Sequence, residues 1–131
     1  MATKGIKGFD IKGLKEVYKG LNLTEEEILK AALKGQKVLA QNILGESQKI
    51  VPVDTGTLRR SGHISTDEAL NITTISYNTP YALKQHEDAT LNHPNGGEAK
   101  YLERPFNEKS GEYENFVSTE VYKALRKKSS S

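Results

Sequence analysis

The 131-residue chain has no cysteine and no tryptophan, one methionine and four prolines. Without thiols there is no disulfide framework, no thiolate metal site and no cysteine nucleophile. No apolar run approaches the roughly 20 residues that span a bilayer. Met1 to Asp10 is rich in Lys and Gly and lacks the apolar centre of a secretion leader. Charge of one sign is also scarce: 19 basic against 17 acidic side chains leave +2, too balanced for a protein held to nucleic acid by its field. Apolar residues make up only 35%, yet Leu, Ile, Val and Phe stay above the roughly one fifth of a chain below which disorder is expected. These features predict one domain over residues 1–131 with a thin core, a flexible arm over 1–9 and a frayed tail over 129–131.

What is present is mostly helical pattern. Ile11, Leu14, Val17, Tyr18 and Leu21 recur at helical spacing and predict a short helix near 10–20, closed by Gly20 and Asn22. Thr24 and Glu27 spell a capping box, in which the hydroxyl accepts the third helical amide and the carboxylate accepts the cap amide. Glu25, Glu26 and Glu27 also place negative charge at the positive end of the helix dipole. Ile28, Ala32, Leu39 and Ile43, with Leu29, Leu33, Ala40 and Leu44 beside them, form a stripe to about Ile50. Pro52 halts that helix. Gly35 and Gly45 weaken it by about 1 kcal/mol each relative to Ala, and leave room for a close neighbour.

After a turn over Val53 to Thr57, residues 62–67 and 70–77 read as two strands joined through Asp67-Glu68-Ala69. Tyr81 to Glu87 suits two helical turns, and residues 88–100 form a long polar loop. A last helix, with Pro105 in its first turn, presents Phe106, Tyr113, Phe116, Val117, Val121, Ala124 and Leu125 on one face. The predicted class is α+β: long N-terminal helices and a C-terminal helix packed on a small antiparallel sheet, with a long polar loop.

Candidate chemistry is sparse. Asp54-Thr55-Gly56, followed by Thr57, matches the signature of aspartic proteases, in which two such Asp residues share one proton. A homodimer would supply the pair. Here, however, the motif follows Pro52 at the end of a long helix rather than an apolar strand. In a turn, the same Asp accepts backbone amides and Gly takes a positive φ. His86, Glu87, Asp88 and His93, with His63 at a distance, offer imidazole and carboxylate, but not the one-turn His pair of metalloproteases. Gly96-Gly97 lacks the Lys-Ser/Thr of a phosphate loop. The Lys-rich N-terminus has no interleaved aromatic platform for single strands. No catalytic residue, cofactor or metal ligand is therefore assigned, and the expectation is a protein that is not an enzyme. The alternatives are a protease-like homodimer using Asp54 and a small nucleic-acid-binding module.

Three blocks taken together are more specific than any one of them. They are Val51 to Ser61 (VPVDTGTLRRS); Tyr77 to Ala82 with Gln85-His86-Glu87; and His93 to Gly97 with Lys100 to Pro105. In this order and spacing, over about residues 45–108, the chain resembles the small minor capsid or head–tail connector proteins of tailed bacteriophages and prophages, also called neck or tail-completion proteins. The resemblance implies a non-enzymatic virion subunit without cofactors, a homo-oligomeric ring in the particle and a possible monomer when free. Its partners would be virion proteins on the portal side and on the tail-terminator or tube side. DNA would pass nearby without specific binding, and no membrane is involved. The expected location is the virion neck, and the bacterial cytoplasm before assembly. Within that frame, Asp54, Thr55 and Gly56 turn the chain from helix into sheet, Leu58 enters the core, and Arg59 and Arg60 face carboxylates of a neighbouring subunit. Tyr81, His86, Glu87, Tyr101 and Pro105 anchor the long loop.

Overall fold

The computed structural model describes residues 2–51, 56–77 and 100–130. In chain order their elements are β1 (Ala2–Lys7), α1 (Ile11–Val17), α2 (Glu25–Ile50), the single turn α3 (Thr57–Arg60), β2 (Gly62–Asp67) and β3 (Ile72–Tyr77). Then follow α4 (Glu103–Lys109), a 3-10 turn over Ser110–Glu112, and α5 (Tyr113–Ser129). The class is α+β, as expected.

The long central helix forms as its sequence dictates. Thr24 Oγ1 accepts the Glu27 amide at 3.1 Å, and Glu27 Oε1 accepts the Thr24 amide at 2.8 Å. Ile28, Ala32, Leu39, Ala40 and Ile43 are buried along the stripe, and α2 ends at Ile50 with Val51 as its cap, immediately before Pro52. The predicted hairpin also forms. β2 and β3 pair antiparallel from Gly62↔Tyr77 to Asp67↔Ile72. Asn71, at φ 56°, closes its turn, and the Leu70 amide donates to Asp67 Oδ1 at 3.1 Å.

The N-terminal arm is the main correction. Residues 2–7 are not a flexible tail but the edge strand β1, antiparallel to β3 from Ala2↔Tyr77 to Lys7↔Ile72, which gives the sheet order β1-β3-β2. The following residue pair is fixed as well. The Gly8 amide donates to the Asn71 carbonyl at 2.9 Å, the Phe9 amide donates to Tyr113 Oη at 2.9 Å, and the two rings meet edge to face at 5.1 Å. Ile6 closes the core at 6% exposure. The helical C-terminus also differs. The expected single helix is interrupted by the 3-10 turn around Gly111, and α5 runs through Ser129, where the sequence predicts fraying. The predicted helix at 81–87 and the loop over 88–99 lie outside the described residues.

Two apolar clusters share α2. The sheet-side cluster joins Ile6, Leu39, Ala40, Ile43, Val51, Leu58, Ile75, Tyr77, Tyr101 and Leu102. The helical cluster joins Leu14, Tyr18, Ile28, Ala31, Ala32, Val117 and Val121. At Gly35 the helices α2 and α5 touch: a Cβ there would stand 2.7 Å from the Phe116 carbonyl oxygen and from Val117 Cα. Only glycine permits that approach.

Candidate functional site

The described apolar residues of the three blocks gather in the sheet-side cluster. Leu58 is held by α3 against Val51, Tyr77, Tyr101 and Leu102, so the end of α2, the end of β3 and the start of α4 meet there. The turn before β2 is built locally: the Arg60 amide donates to the Gly56 carbonyl at 3.0 Å, and Ser61 Oγ donates to the Leu58 carbonyl at 2.7 Å. Gln48 Nε2, reaching from α2, donates to the Arg59 carbonyl at 3.2 Å and ties the turn to the helix. At the centre, Tyr77 and Tyr101 are fully buried and stack edge to face at 5.0 Å. The Tyr77 hydroxyl lies 2.7 Å from buried Ser47 Oγ. Burial raises both phenol pKa values; for Tyr77 the Ser47 hydrogen bond and the nearby Arg59 charge oppose that rise without cancelling it.

The two arginines part company. Arg59 is half-buried, and its Nε is enclosed with no hydrogen-bond acceptor among the described residues. Arg60 is exposed and folds back over Gly56, where a Cβ would stand 2.8 Å from its Nη1. Among the described residues neither guanidinium has a carboxylate partner. Tyr101 and Pro105 are buried where the described chain resumes, just after Lys100 at φ 62°. Asp54, Thr55, Tyr81, His86 and Glu87 lie outside the described residues. So do Asp88 and His93, and no group of three or more metal-ligating side chains occurs among the described residues.

Of the histidine candidates only His63 is described. It sits on the open face of the sheet, its Nε2 3.2 Å from Ser76 Oγ and its Nδ1 3.3 Å from the Ser61 carbonyl. A cavity of about 730 Å³ lies elsewhere, between α2 and β2, lined by Lys37, Gln41, Ile64, Thr66, Asp67 and Glu68. The serine–histidine pair thus has no part in that cavity.

A buried polar link escaped the sequence reading. Gln36, 1% exposed, donates from Nε2 to the carbonyls of Ile6 at 3.0 Å and Asn71 at 3.2 Å. Its Oε1 accepts Thr73 Oγ1 at 3.0 Å. Thr73 has one hydroxyl proton, so at its other contact it accepts from Thr66 Oγ1, 3.0 Å away. One side chain therefore fastens α2 to β1, to β3 and to the hairpin turn. The available signal was phase: Gln36 and Ser47 lie four residues after Ala32 and Ile43, on the apolar stripe.

Comparison with family models, curated proteins and solved structures finds no match to this chain.

Proposed function

We propose that this chain is a structural subunit of a phage or prophage head–tail junction, a neck, tail-completion or minor capsid protein. It acts by ring assembly and docking rather than by chemistry. The observation that supports this reading is the convergence of the described parts of all three blocks. Val51, Leu58, Tyr77, Tyr101 and Leu102 share one core cluster although they are scattered over residues 51–102. Arg59 and Arg60 border that cluster with no carboxylate among the described residues. A neighbouring subunit or virion protein supplies the carboxylates, since guanidinium forks pair bidentately with them. In this reading the partners are proteins on the portal and tail sides of the junction. The chain passes from the bacterial cytoplasm into the virion, and DNA runs by without being read.

The test is genetic and biochemical. A phage or prophage deprived of this product should accumulate filled heads and separate tails, and the purified chain should join them in an extract. Intact, infectious particles without it would overturn the proposal.

A further inference from the structure

β1 and β2 are the two edges of the described sheet, and neither is closed by a proline or a bulge. Each pairs with β3 over six residues in unbroken register. Among the described residues no strand pairs with the outer side of either. The two edges differ in charge. β1 contains Lys4 and Lys7 and no acid, whereas β2 and its turn contain Asp67 and Glu68 and neither Lys nor Arg. Lys7, Asp67 and Glu68 are exposed, and none has an ion-pair partner among the described residues.

Register aligns these charges. Lys7 and Asp67 both face Ile72 of β3, so they occupy one rung and one face of the sheet. Two strand spacings, about 10 Å, keep them from pairing within a subunit. Because β1 and β2 are each antiparallel to β3, they are parallel to one another. Laid side by side from two copies in that register, they place Lys7 next to Asp67, with Glu68 one residue beyond. The cavity between α2 and β2, lined in part by Asp67 and Glu68, borders the acidic edge.

We infer that copies of this chain associate head to tail through these edges, the basic β1 of one subunit adding to the acidic β2 of the next as a parallel pair. The inference rests on the ring reading above and names the surface through which successive subunits meet. Such a contact is heterologous, the kind that closes into rings. It satisfies edge amides and carbonyls on both sides, and its rim charges weaken with salt.

The chain has no cysteine, so cross-linking can report the contact. Gly5 and Ser65 both face Thr74, and both are exposed. A Cβ at Gly5 meets only Ile72 Cγ2, at an ordinary 3.5 Å. Within one subunit the two positions are beyond the roughly 7 Å Cα separation a disulfide tolerates, but they adjoin across the proposed contact. The full chain carrying Gly5→Cys and Ser65→Cys, mildly oxidised at its highest soluble concentration, should give a ladder of linked multimers. Adding Lys7→Asp should cut the ladder roughly tenfold, and adding Asp67→Lys to that variant should restore it. A melting curve by circular dichroism on each variant confirms that it is folded. Monomer alone, or cross-links indifferent to charge reversal and its restoration, would overturn the contact. The joining assay separates this from the function proposed above. A double-cysteine chain that gives no ladder, or one indifferent to charge reversal, but still joins heads to tails sinks the edge contact and leaves the neck reading standing. A charge-sensitive ladder from a product whose loss leaves particles intact does the reverse.

Discussion

One helix serves two unlike cores. Along its first half, α2 offers small residues, Ala31, Ala32 and Gly35, and α5 comes close enough to touch its backbone. From Gln36 onward it offers Leu39 and Ile43 to the sheet-side cluster that holds the Tyr77–Tyr101 pair, with Gln36 and Ser47 making hydrogen bonds there. The helical half is specified by shape, because close approach tolerates no added atom. The sheet half is specified by volume and by polar pairing, because each buried donor or acceptor there has one partner geometry. A single amphipathic stripe is thus read in two ways by what packs against it.

Substitutions should pull the halves apart in a fixed order. Leu39→Ala, at a site with 0% exposure, leaves a cavity in the sheet-side cluster and should cost about 2–5 kcal/mol in denaturant unfolding. Gly35→Ala should destabilise the helical half by about 1–3 kcal/mol despite its better helix propensity, because α5 backbone must move. Gly45→Ala, on the same helix with nothing within 4 Å of the new Cβ, should instead stabilise by about 0.5–1 kcal/mol. If both glycine variants shift the melt alike, close approach at Gly35 is not what that half depends on. Tyr77→Phe removes the partner of buried Ser47 and should cost about 1 kcal/mol.

The smallest effect concerns pH at the start of α2. The Thr24 amide, followed by Lys128 from the end of α5 at 2.9 Å, holds Glu27 down at about 2 from the ordinary 4.5. Its folded pKa is depressed, so its stabilisation is present above the unfolded value near 4.5 and is lost as pH falls toward 2. Glu27→Gln should flatten that part of the stability curve between pH 5 and 2, as measured by thermal melts across the window. A wild-type slope retained in the variant would remove Glu27 from the account.

The elements that were legible in the sequence are those whose instructions are local. Thr24 and Glu27 mark the start of α2 within four residues, and the hairpin closes over the short turn at 68–71. β1 was not legible: Ala2 to Lys7 is Lys- and Gly-rich, and its partner lies more than sixty residues away at Ile72 to Tyr77. Nothing near it announces that pairing, which is supported at a distance by Ile6 joining Leu39, Ala40 and Ile43 of α2 in one cluster. In the candidate site, the burial of Leu58 agrees with expectation. The divergence of Arg59 and Arg60 was hidden, because it depends on which side of α3 meets Tyr77 rather than on the arginine pair itself.

The same separation sets an order of manufacture. At roughly 5–20 residues per second, a ribosome adds the stretch from Lys7 to Ile72 in roughly 3 to 13 seconds. Through that interval β1 is finished and β3 does not yet exist. α2 and β2 are synthesised before β3, the partner of β1, exists, so β1 waits for β3 before it can enter the sheet. Neighbouring nascent chains on one messenger hold the same waiting strand, and a β3 edge can be filled by its own β1 or by another's.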